Sequence, residues 1–89
     1  MLFMVICTWE PSAVPEILKR ALEKGTQAPE GQRVIGEWTD AGGGRIFRLI
    51  ETDDAASLFA GALVWHDVLN SEVVPVIGAD ASIDTARGK

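Results

Sequence analysis

Apolar residues fill both parities of the first nine positions. In an extended chain Leu2, Met4 and Ile6 point one way and Phe3, Val5, Cys7 and Trp9 the other. A strand with one wet face would alternate apolar and polar, and this one does not. Both of its sides need cover. Pro11 ends the strand, Ser12 stands where a helix cap belongs, and Pro15 fits a first helical turn. Val14, Ile17, Leu18, Ala21 and Leu22 then recur at helical spacing and form one apolar stripe, which Gly25 stops. Glu16 with Arg20, and Lys19 with Glu23, stand four apart on the wet side.

Thr26 to Gln32 reads as a loop. Arg33–Thr39 and Arg45–Glu51 read as strands joined by the glycine-rich hairpin turn Asp40–Gly44. Asp53 is expected to cap a second helix, with Asp54 at the favourable end of its dipole. Its stripe is Ala55, Leu58, Phe59, Ala62 and Leu69, Gly61 permits close packing, and Asn70 is placed as its C-terminal cap. Glu72–Ile77 is a fourth strand, and Pro75, which cannot donate to a ladder, puts it at a sheet edge. The order β-α-β-β-α-β predicts an α+β ferredoxin-like domain over 1–78. It has a four-stranded antiparallel sheet in spatial order 4-1-3-2 and two helices on one face. Residues 79–89 are expected to form a flexible tail. The face left bare is apolar, so a second copy of the chain is expected to cover it, sheet to sheet.

Composition narrows the partners. The 89 residues carry a formal charge of -5 and show no basic cluster, which argues against nucleic acid and against anionic membrane surfaces. The opening apolar run is too short to span a bilayer and lacks the flanks of a signal peptide. The single Cys7 makes no internal disulfide, in keeping with a cytoplasmic protein.

The segments MLFMVICTWEP, RVIGEWTDAGGGRIFRLIE and EVVPVI together resemble a small bacterial family of unknown function. Its layout is similar to the ferredoxin-like dimeric α/β-barrel superfamily, and the likeness spans Met1 to Ile77, with Trp9 matching the family pattern. The resemblance implies sheet-to-sheet homodimers with a ligand cleft in each subunit. That superfamily includes cofactor-independent monooxygenases, haem-degrading enzymes, isomerases and members without known chemistry. No motif here matches one enzymatic branch, so the resemblance transfers no catalytic residue.

The candidates for chemistry are few. His66 is the only histidine and sits by the second helix's stripe. It is a candidate general base or haem ligand near a cleft, against the plainer reading of a histidine at a helix C-terminus held by the dipole and a local carbonyl. One histidine does not make a His-rich metal site, and no metal or cofactor is expected. Glu37 and Arg48 lie on the two central hairpin strands and share a face or oppose one another according to register. Sharing an inward face, they would orient a ligand carboxylate or carbonyl; otherwise they form a rim ion pair or two solvated side chains. Trp9, Trp38 and Trp65, with no tyrosine in the chain, suit either a flat-ligand pocket or packing and interface contacts, the latter carrying more weight. Cys7, inside a buried strand, is expected to be inert. Gly42-Gly43-Gly44-Arg45 is no phosphate loop, because strands flank it on both sides. The expected protein is a homodimeric module that binds a small apolar or aromatic ligand or another protein. The alternative is a cofactor-independent monooxygenase-like enzyme acting on an aromatic substrate with His66 or Arg48 assisting proton transfer.

Overall fold

The computed structural model describes residues 1–25 and 29–88. The loop expected over 26–28 and the last residue of the expected tail lie outside them. Four strands, β1 (Leu2–Thr8), β2 (Arg33–Thr39), β3 (Arg45–Glu51) and β4 (Asn70–Val76), form one antiparallel sheet in the order β2-β3-β1-β4. The helices α1 (Val14–Lys24) and α2 (Ala55–Trp65) connect β1 to β2 and β3 to β4. This is the ferredoxin-like α+β arrangement, and β4 occupies an edge, with Pro75 opposite Phe3.

The hairpin between β2 and β3 is shaped by one acid and two glycines. Gly43 and Gly44 have φ of 84° and 89°, which only glycine adopts without strain. Asp40 receives the Gly42 amide at 2.9 Å and the Arg45 Nε at 2.9 Å, and these bonds hold its carboxyl below the usual range, Arg45 contributing most. Gly25, φ 68°, ends α1 by donating its amide to the Ala21 carbonyl.

Several local expectations are corrected. Ser12 does not cap α1; it lies in a 3-10 turn, Pro11–Ala13, and Ala13 holds the cap position without a side-chain bond. Asp54, not Asp53, caps α2 by accepting the Ala56 amide at 3.0 Å, while Asp53 meets the Met1 amino group at 3.1 Å. Helix α2 stops at Trp65 with His66 as its C-cap, so Asn70 begins β4 instead of capping the helix. Residues 79–86, assigned to a tail, form a third helix, α3. Its small side chains make no wide apolar stripe for periodicity to detect. Every residue of α3 is exposed. Leu18, Leu22 and Phe59 were expected on inward stripes and are 56%, 87% and 67% exposed. Each lies about 100° around its helix from a neighbour that does face the sheet, Ile17, Ala21 and Leu58 respectively.

Among the described residues the buried apolar ones are Ile17 of α1 and Ile50 of β3. The layer between helices and sheet is not filled, because α2 turns Gly61 and Ala62 toward it. Alternation sends Met4, Ile6, Phe47, Leu49, Val74 and Val76 to the opposite face of the sheet. Trp38 lies there too, 53% exposed, its ring directly over Gly36, where a Cβ would stand 2.6 Å from it. The side chains of α1 and α2 that line the layer against the sheet meet the other face.

Candidate functional site

The unfilled layer is a cavity of about 150 Å³. The sheet supplies its floor through Val5, Cys7, Ile46, Ile50 and Val73, all on the face that the helices cover. The helices supply its roof through Ile17, Ala21, Leu58 and Ala62, with Trp65 at one end.

One strong polar feature enters this apolar space. Glu37 and Arg48 are direct cross-strand partners. They share the inward face, and Arg48 Nε donates to Glu37 Oε2 in a salt bridge on the cavity wall. The turn sets this register. From the Asp40 amide bonded to the Arg45 carbonyl, the pairs run Thr39–Ile46, Trp38–Phe47 and Glu37–Arg48 without interruption. A bulge between Val34 and Gly36 absorbs Ile35 farther along, so Val34 opposes Ile50. Both charged side chains are about three-quarters covered, at 22% and 25% exposed. Cys7 and Ser71 lie together on the same wall, Sγ 3.7 Å from Oγ.

A polar knot secures one end of the cavity. Thr52 and Ser57 are each 4% exposed. Thr52 Oγ1 donates to the Gly31 carbonyl at 2.7 Å and accepts the Asp54 amide at 3.0 Å. Ser57 Oγ donates to the Asp54 carbonyl at 2.7 Å, and Gln32 Nε2 donates to the Ser57 carbonyl at 2.8 Å. These bonds tie the segment before β2 to the start of α2 and leave Gln32 and Pro29 at the cavity edge beside Gly61. Gln32, Thr52 and Ser57 carry no periodicity or motif, so sequence reasoning passed over them.

Arg20 secures the other end. Its guanidinium sits 5.9 Å from the centre of the Trp65 ring and bridges Glu16 at 2.9 Å and Asp67 at 2.9 and 2.5 Å. The hydrogen bonds from Arg20 push the Asp67 carboxyl down to about 2 from an ordinary 3.8. The folded value lies below the unfolded one, so the pair stabilises the fold above about pH 4 and loses that effect as pH falls toward about 2. Asp67→Asn is therefore expected to lower the unfolding midpoint at neutral pH. The gap from wild type should shrink between about pH 4 and pH 2. Midpoint curves that stay parallel through that window would show that the bridge adds nothing to stability.

The remaining expected site residues scatter. His66 caps α2 with Nδ1 2.8 Å from the Leu63 carbonyl and lines a separate surface pocket with Glu10 and Asp67, outside the apolar cavity. Trp9 follows β1 and lines neither space. Trp38 lies on the far side of the sheet, so of the three tryptophans only Trp65 reaches the cavity beside the Glu37–Arg48 pair. Among the described residues no three His, Cys, Asp or Glu side chains gather as metal ligands, and no helix is long and apolar enough to cross a membrane.

A family model described as "Domain of unknown function (DUF3303)" matches residues 1–88. The chain belongs to the DUF3303 family. This DUF3303 protein matched no curated protein and no solved structure.

Proposed function

We propose that this DUF3303 protein is a homodimer, joined through the bare apolar sheet face, that holds one small apolar or aromatic molecule in the cavity of each subunit. The observation that carries the ligand reading is the cavity itself: about 150 Å³, apolar in most of its lining, with one oriented ion pair in its wall. An apolar cavity of about that size has room for a benzene-sized ring. The open apolar strand face supports the dimer, since a face of that kind is ordinarily covered. A monooxygenase-like reaction draws less support. Among the described residues Glu37 is the cavity's one carboxylate and no histidine lines it.

Titration with toluene, followed through the nuclear magnetic resonance shifts of the cavity methyl groups, tests this reading. Saturable shifts are expected at Ile46, Ile50 and Leu58. Ala62→Leu, which fills the space with three more carbons, should weaken binding at least about tenfold, while His66→Gln should leave it within about a factor of ten, or roughly 1.4 kcal/mol. Shifts confined to the pocket around His66, or binding indifferent to Ala62→Leu, would place the ligand elsewhere and sink the proposal.

A further inference from the structure

We infer that the cavity selects a neutral, single-ring molecule with a hydrogen-bond donor and an acceptor on adjacent atoms, a cyclic amide in chemical class. This rests on the proposed reading of the cavity as a ligand site. Among the described residues the Glu37–Arg48 bridge uses only Nε of the guanidinium and Oε2 of the carboxylate. Among the described residues the two terminal nitrogens of Arg48 and Oε1 of Glu37 have no other protein partner, and no buried polar side-chain atom there is left unsatisfied. Those atoms are therefore accessible, and both residues line the cavity. They present N–H donors and a carboxylate acceptor side by side in a wall that is otherwise largely apolar.

Charge decides between ligand classes. The bridge as a whole has no net charge. A carboxylate ligand drawn to Arg48 would also meet Glu37, and it would leave water for a wall that offers no net positive charge in return. A neutral lactam meets both partners with matching polarity. Its carbonyl accepts from an Arg48 terminal nitrogen, and its ring N–H donates to Glu37 Oε1. The volume holds one such ring, since about 150 Å³ suffices for benzene. A site built around paired donors and acceptors also discriminates strongly against analogues that lack one of them.

The test ranks four probes on the wild-type protein by calorimetry, with cavity methyl shifts locating each: 2-pyridone, N-methyl-2-pyridone, benzoate and toluene. 2-Pyridone is expected to bind at least tenfold more tightly than benzoate and than its N-methyl derivative. In Glu37→Gln the preference between 2-pyridone and benzoate should narrow or reverse, because the repelling charge is gone while Arg48 remains. Benzoate binding as tightly as 2-pyridone in wild type, or toluene binding while neither polar ring does, would overturn the ligand class and leave the cavity reading standing. Failure of all four probes, toluene included, would overturn both. The wild-type ranking decides the matter even if Glu37→Gln does not fold.

Discussion

Ile50→Ala is expected to cost about 2–5 kcal/mol and to lower the unfolding midpoint by about 10 °C or more. Ile50 is 3% exposed, the most buried apolar residue of the domain, and it forms part of the cavity floor. Truncation removes its transfer free energy and opens new empty space beside a layer that is already incompletely filled. Small domains hold a total of only about 5–15 kcal/mol, so the loss is a large share. Leu22→Ala is the natural control. Leu22 is 87% exposed, and its truncation should change stability by no more than about 0.5 kcal/mol. Thermal melts of the two variants against wild type read both effects. A midpoint for Ile50→Ala within about 2 °C of wild type would show that Ile50 contributes no packing in solution.

Ile6→Asp is expected to convert a dimer into a folded monomer. Ile6 sits on β1 opposite Phe47 and Glu72, on the face that the helices leave bare. In a two-fold dimer each substitution counts twice, once from each chain. At roughly 2 kcal/mol per unsolvated carboxylate, the dissociation constant should rise about a thousandfold. Static light scattering should report twice the chain mass for wild type and one chain mass for the variant, with unchanged far-ultraviolet circular dichroism. Val5→Asp provides the contrast. Val5 faces the cavity and lies cross-strand from Arg48, so this change should disturb the ligand site and leave the mass doubled. Wild-type protein that runs as a monomer, or an Ile6→Asp dimer of undiminished affinity, would remove the basis for the sheet-to-sheet arrangement.

The pair Val5 and Ile6 also shows how far the linear pattern reaches. Both belong to the same apolar run, and either parity could have faced the helices. The sheet resolves the ambiguity, because Val5 shares the cavity wall with Glu37 and Arg48 while Ile6 does not. The glutamate and arginine behave likewise. Their types and strands were legible, but whether they met depended on the turn from Asp40 to Arg45, which set them directly opposite one another. The histidine illustrates the opposite case. Its place at the end of α2 was legible, and the structure puts it in the separate pocket with Glu10 and Asp67, outside the cavity.

Sequence alone determined the β-α-β-β-α-β order up to β4, the sheet order and the edge position of β4, but not the third helix. Those follow from short-range constraints: apolar periodicity, the missing amide of Pro75, the left-handed residues of the hairpin, and the short list of allowed crossovers. Tertiary structure alone decided the site. The cavity exists because Gly61 and Ala62 of α2 face the sheet across from Ile46 and Ile50, so side-chain volumes from distant parts of the chain fail to fill the layer. The knot of Gln32, Thr52 and Ser57 and the bridge from Arg20 to Asp67 likewise join residues separated in sequence by 25 and 47 positions. No local pattern encodes such meetings, because they arise from how whole helices are laid on a sheet whose register is set elsewhere.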